Sequence, residues 1–151
     1  MHNDTITLFN RYESRLGDTW YATIIPNVQL TMDKAAIQAK YGAESQDSAA
    51  VSIPYTCTEA GKKIISGKQW LPPKEWDRQT NDLLPKSITF TPGQTFDFFL
   101  VGAWDGEQAI SDDDYTGGFY SYMERTHDYV FAISSVGGPY SLIPHFEIMG
   151  R

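Results

Sequence analysis

A chain of 151 residues and 17.0 kDa suits one domain, and a domain of that size buries roughly 70% of the surface its unfolded chain exposes. With 41% hydrophobic and 14% aromatic residues it can build a core, which excludes a disordered tail. The net charge of −7, with 12 Lys and Arg scattered along the chain, excludes the clustered basic surface that binding to exposed phosphate requires.

The single cysteine, Cys57, forbids an internal disulfide and predicts a reducing compartment. Met1-His2-Asn3-Asp4 has neither the basic nor the apolar region of a secretory signal. No apolar run approaches the ~20 residues that span a bilayer. A protein made and kept in the cytoplasm is the expectation.

In chain order, the first element is a strand over residues 5–12, where Ile6 and Leu8 alternate with Thr5 and Thr7. Arg15-Leu16-Gly17-Asp18 makes a turn and Trp20 opens a second strand through residue 25, so the pair reads as a hairpin. Pro26-Asn27 punctuates, and extended chain resumes over residues 28–32. Residues 33–41 are ambiguous: Ala35, Ala36 and Ala39 with the Gly42 stop favour a short helix on propensity, whereas tertiary pairing would make a strand. The small and polar run that follows, with Glu44, Ser45, Gln46 and Asp47 at its centre, predicts an exposed loop tip.

A short strand closed by Pro54 covers residues 50–55. Turn signals then dominate: Gly61, Gly67, Pro72-Pro73, Asn81-Asp82 and Pro85 mark a loop-rich insertion at about 58–86. Within it Trp70 and Trp76 flank Pro72-Pro73-Lys74-Glu75, and prolines at a helix start suit one helical turn there. A long irregular segment inside a compact domain normally signals function or an interface, so Trp70 and Trp76 are candidate interface anchors.

The clearest predicted hairpin joins residues 87–91 to 95–101 through Pro92-Gly93. Phe96, Phe98 and Leu100 share one face of its second strand, Asp97 and Phe99 the other. Ser111-Asp112-Asp113-Asp114 resembles a helix start with Ser111 as cap, and Tyr115, Phe119 and Tyr122 follow at helical spacing. Gly117-Gly118 costs that helix about 1 kcal/mol per glycine relative to alanine, which keeps it short. Residues 129–136 form the strongest strand, Gly137-Gly138-Pro139 turns, and residues 145–149 supply a last partner. The expected architecture is mainly β: a single domain over residues 1–151, a small β-barrel or sandwich of six or seven strands with one short helix and long loops.

No motif obliges an active site or a cofactor. His2, His127 and His145 are far apart, so metal-ligand spacing is missing. Asp112-Asp113-Asp114 lacks the glycine and the bidentate glutamate of a calcium loop, and helix capping explains it. There is no Gly-x-Ser-x-Gly, phosphate loop or dinucleotide fingerprint. Asp97, Asp105 and Glu107 are conceivable as paired carboxylates for glycoside cleavage, but a strand face and a turn explain them as well. Trp20, Trp70, Trp76 and Trp104 could line a carbohydrate surface or anchor packing, and their separation along the chain favours packing. A protein without catalysis is the expectation.

Six stretches carry a resemblance. Ile6-Thr7-Leu8-Phe9-Asn10-Arg11-Tyr12 and Trp20-Tyr21-Ala22-Thr23-Ile24-Ile25-Pro26-Asn27-Val28 open it, and Val51-Ser52-Ile53-Pro54-Tyr55 continues it. Thr91-Pro92-Gly93-Gln94-Thr95-Phe96 leading to Val101-Gly102, then Tyr129-Val130-Phe131-Ala132-Ile133-Ser134-Ser135-Val136, and finally His145-Phe146-Glu147-Ile148 complete it. Together they resemble the minor capsid or head–tail connector proteins of tailed bacteriophages, similar in role to head-closure (stopper) proteins. The chain departs from that pattern in the longer loop at 43–48 and in the Gly-Gly within the late helix.

The resemblance implies a structural virion protein of the phage neck. Copies of it would form a ring between a portal or adaptor protein above and a tail or tail-terminator protein below. The ring would close the head, retain DNA and dock the tail, passing DNA without sequence-specific binding and without a membrane. An acidic lumen would repel phosphate and let a duplex slide. The loop at Glu44–Asp47 would face the channel or the neighbouring ring. A tail-completion or tail-terminator ring protein and a carbohydrate-binding β-domain are the alternatives.

Overall fold

A computed structural model describes residues 3–32 and 49–151 of the chain. It is mainly β, with 47% of residues in strands, and builds a closed six-stranded barrel with one extra strand. The expected hairpin is there: β1 (Asp4–Tyr12) pairs antiparallel with β2 (Thr19–Met32), from Tyr12↔Thr19 to Asp4↔Val28. Gly17 closes the turn at φ +119°, where a Cβ would also strike Asp113 Oδ2 at 2.5 Å, so no other residue fits. Pro26-Asn27 does not end the strand. The ladder shifts register between Asp4 and Ile6 with Asn27 at φ 60°, and this bulge bends the long β2 away from β1. Its far end then pairs with β3 (Ala49–Pro54), from Gln29↔Ser52 to Met32↔Ala49.

The remaining staves are β8 (Phe98–Val101), β10 (Val130–Tyr140) and β11 (His145–Gly150). Between β3 and β8 the chain forms β4 (Thr56–Cys57), β5 (Lys63–Ile65), β6 (Lys68–Trp70), α1 (Pro73–Asp77) and β7 (Ser87–Ile88). The strand order β1-β8-β10-β11-β3-β2 is closed by the β1–β2 pairing, and β9 (Ala109–Ser111) adds to the outside of β2. All barrel pairings are antiparallel.

Strand alternation divides the apolar residues between two cores. Ile6, Leu8, Val51, Ile53, Phe99, Phe131, Ile133, Phe146 and Ile148 point inward and are each at most 1% exposed. They fill the barrel, as side chains fill most small barrels, so its axis is packed rather than open. Phe9, Trp20, Phe98, Leu100 and Val130 point outward. That outer face is covered by α2 (Phe119–Thr126) through Phe119 and Met123, both fully buried. The two faces read for residues 96–100 are therefore the two cores, Phe96, Phe98 and Leu100 packing under α2 and Phe99 entering the barrel.

Three expectations need correction. Residues 87–91 and 95–101 do not form a hairpin ladder. β7 pairs parallel with β6, whereas β8 lies between β1 and β10. Both sides of residues 98–100 are needed to close the barrel, and that requirement overrides the local turn signal. The late helix does not begin at Ser111, which makes no cap bond; residues Asp112–Asp114 are a 3₁₀ turn and α2 starts after Gly118, at φ 96°. Gly137-Gly138-Pro139 lies inside β10, with the turn following Tyr140.

The segment at 58–86 is also more ordered than turn signals suggest. Its strands join β4 and β7 in a second sheet ordered β4-β5-β6-β7. Ile65, Ile88 and Trp70 tie that sheet to the barrel core. The helical turn expected after Pro72 is α1, whose Pro73 stands at a first-turn position where no backbone N–H is needed.

Candidate functional site

The candidate loop Glu44, Ser45, Gln46 and Asp47 lies outside the described residues, as do His2 and the ambiguous segment 33–41. Trp70 and Trp76 are described, Trp70 half-buried and Trp76 buried. Trp76 is 2% exposed and meets Tyr12 and Tyr21 edge-on, its indole N–H donating to the Ser87 carbonyl at 3.4 Å. Trp70 packs on Phe146 with ring centroids 4.8 Å apart. A side chain buried in its own subunit cannot anchor a partner, so Trp76 in particular does not have that role. Trp20 is 1% exposed, and Trp104 is half-buried against Phe9 and Phe119. The tryptophans serve the cores and do not form one exposed sugar-stacking face.

The conceivable carboxylate set does not assemble either. Asp105 and Glu107 are exposed after β8, whereas Asp97 precedes β8 and is 1% exposed. Among the described residues no group of three or more His, Cys, Asp or Glu could hold a metal ion. The acidic run has a structural use: Asp112 Oδ1 accepts from the Trp20 indole N–H at 2.9 Å and from the Phe119 N–H at 2.8 Å. It thereby caps α2 across the Gly-Gly break and pins the helix to the barrel.

Among the described residues Asp97 stands out as a buried carboxyl. Its carboxylate accepts from the Arg11 N–H at 2.8 Å, the Thr91 N–H at 2.9 Å and the Asn10 amide at 2.9 Å. Its own N–H donates to the Thr91 carbonyl at 2.8 Å and its carbonyl accepts from Ile133 N–H at 2.9 Å. Asn10 also donates to the Thr89 carbonyl at 2.7 Å. Asp97 thus ties β1, residues 89–91, β8 and β10 together where no strand ladder can. Burial pushes its pKa up from 3.8 to about 7, against the pull of those donors. Arg11 gives no charge relief, because its guanidinium pairs with Asp18 at 3.0 Å and lies 5.3 Å over the Trp20 ring.

Among the described residues the surface offers shallow clefts, an exposed Leu16 on the β1–β2 turn, and an apolar projection. A cleft of about 250 Å³ beside the Asp97 node is lined by charges of both signs, Arg11, Glu13, Lys74 and Asp77 among them. A second, of about 270 Å³, has Ile24 and Trp104 in its walls with Thr23, Lys68 and Gln108. The projection is the turn between β10 and β11. Leu142 is 95% exposed and Ile143 74% exposed, flanked by exposed Tyr140 and Pro144.

The base of that turn is braced. The Tyr140 and His145 rings stack at 4.9 Å, Tyr55 Oη donates to the Tyr140 carbonyl at 2.8 Å, and the Tyr55 N–H donates to the Pro144 carbonyl at 3.2 Å. His145 Nδ1 donates to the Ile143 carbonyl at 2.6 Å, and Nε2 lies 3.3 Å from Glu147. These contacts, the carbonyl first, hold the imidazole pKa above its usual range. In the sequence this turn is masked by Gly137-Gly138-Pro139, which places the bend upstream. The signal was Leu142-Ile143 between Pro139 and Pro144, apolar residues where a turn is ordinarily polar.

The profile of a family described as "Family of unknown function (DUF6751)" covers residues 1–151. No curated protein and no solved structure matches the chain.

Proposed function

The chain belongs to the DUF6751 family, and we propose that it is a structural subunit of the neck of a tailed phage, forming a ring between the portal or adaptor and the tail. One observation carries this reading. The stretches that resemble head–tail connector proteins fall on all six staves of the closed barrel, β1, β2, β3, β8, β10 and β11, or on the turns leading into them. The resemblance therefore follows the framework and not its decorations.

Two further features support it. The barrel axis is filled by side chains, so a passage for DNA has to lie between copies arranged around a common axis. The net charge of −7 disfavours adhesion to a duplex moving through such a passage. In this reading the protein works by shape and mutual contact, takes no cofactor, and resides at the head–tail junction after assembly in the host cytoplasm. The buried positions of Trp20 and Trp76 weigh against the carbohydrate-binding alternative.

The test is deletion of the gene from a phage that carries it, with particles examined by electron microscopy and mass spectrometry. Filled or leaking heads that lack tails, restored by supplying the chain in trans, are the expected result. Infectious tailed particles formed without the chain, or purified virions that do not contain it, would refute the reading.

A further inference from the structure

We propose that the cleft lined by Ile24, Lys68 and Trp104 binds a small aromatic carboxylate, its ring against the indole and its acid group on the Lys68 ammonium. The site is separate from the ring reading and needs only a single chain. Lys68 is half-buried, and its Nζ donates to Thr23 Oγ1 at 2.7 Å, a neutral acceptor. Burial alone moves its pKa, downward, with no carboxylate acting the other way. A chain with 19 Asp and Glu against 12 Lys and Arg has acids to spare. Among the described residues none of them lines this cleft. A partly desolvated cation without a counter-charge gains more from an arriving anion than an exposed one does.

The apolar wall is fixed before anything arrives. The Trp104 ring stands edge-on to Phe9 and to Phe119, each at 5.7 Å. Its backbone N–H donates to Thr7 Oγ1 at 2.9 Å and its indole N–H to the Glu107 carbonyl at 3.0 Å. Gly106 lies so close to the indole that a Cβ there would strike the ring. The lysine wall is held as well, because the β5–β6 turn is clipped to β2. Ser66, in the left-handed region at φ 52°, donates through its hydroxyl to the Ile24 carbonyl at 2.7 Å. That conformation costs free energy for a residue with a side chain, and the hydroxyl bond secures it. Groups already in place lose little freedom when a ligand binds.

Size and charge select the class of ligand. A cleft of about 270 Å³ falls just below the range of drug-sized sites and admits about one ring with a short acidic arm. Ile24, 43% exposed, adds apolar contact beside the indole. Asp105 and Glu107, exposed on either side of Gly106, and the net charge of −7 repel a partner that carries many acidic groups. A free monocarboxylate meets that field with one charge only.

The test is titration of the full chain with phenylacetate, followed by amide-correlation NMR. Phenylacetamide serves as the neutral control and acetate as the control without a ring. Saturable shifts at the Trp104 indole N–H and at the Ile24 and Lys68 amides are expected, with Kd of about 1 mM or tighter. Amide and acetate should each bind about fivefold more weakly or worse. Lys68→Met keeps most of the buried stem and should erase the preference for acid over amide, with the spectrum away from the cleft unchanged. The three-ligand comparison on the natural chain decides the matter even where that variant fails to fold.

Equal affinity for acid and amide, shifts away from the cleft, or no saturation within the solubility of the acid would overturn the assignment. A preference for the acid that survives in folded Lys68→Met would overturn it too. An end-capped Phe-Asp dipeptide that binds tenfold more tightly than phenylacetate would give the cleft to a protein partner, and the free acid would be the wrong ligand.

Discussion

Asp97 is a buried carboxyl whose desolvation outweighs the three N–H donors that favour its charged form. Its folded pKa of about 7 exceeds the unfolded 3.8, so the folded chain binds the proton more tightly and stability falls as pH rises between those values. Raising pH from 5 to 8.5 should cost about 2–3 kcal/mol from this group, measured as urea unfolding free energies. Asp97→Asn should remove that component of the slope. It should also destabilise the fold by about 1–3 kcal/mol, because the amide keeps one acceptor oxygen where N–H donors now reach both carboxyl oxygens. None of this was legible in the sequence, where Asp97 reads as a polar residue on a strand face. Its partners Asn10 and Arg11 are 87 and 86 residues away along the chain, and no local pattern encodes that meeting.

At the scale of elements, α2 depends on an aspartate outside it. Asp112→Ala strips acceptors from the Trp20 indole and the Phe119 N–H at once and should cost about 2–4 kcal/mol in thermal or urea unfolding. The exposed neighbour Asp114 should tolerate alanine within about 0.5 kcal/mol. The acidic run was legible as a helix start, but its offset was not, since Gly117-Gly118 inserts a break that a capping pattern does not anticipate. β11 has a comparable hidden demand. A Cβ on Gly150 would lie 2.7 Å from Phe131 Cβ and 2.9 Å from Phe99 Cε1, so Gly150→Ala should destabilise by about 1–3 kcal/mol through overpacking, with the same readout.

Strand positions were the most legible part of the chain: residues 50–55 alternate between buried and more exposed as their pattern implies, while 5–12 and 129–136 also read as strands, although residues 6–10 and 130–131 are buried on both faces. Which strand pairs with which was not legible: the Pro92-Gly93 turn suggested a hairpin that barrel closure overrules.

For the molecule as a whole, Phe146 joins the two sheets. Its ring meets Tyr55, Trp70 and Phe90 at 4.8–5.3 Å, so barrel and small sheet share one core. Phe146→Ala should cost about 3–5 kcal/mol. Both sheets should still melt together, with tryptophan fluorescence and far-ultraviolet circular dichroism giving one coincident transition. Separated transitions would show that the small sheet folds on its own.

Closure of the barrel has a last consequence, for how the chain behaves when crowded. Among the described residues, the large sheet ends outside the barrel in β9, three residues long, and the small sheet ends in the two-residue β4 and β7. Such stubs offer little template for backbone-to-backbone zippering, the route by which exposed strands stack into fibrils. The strand ends of the two sheets therefore give crowded copies little backbone from which to start a cross-β stack.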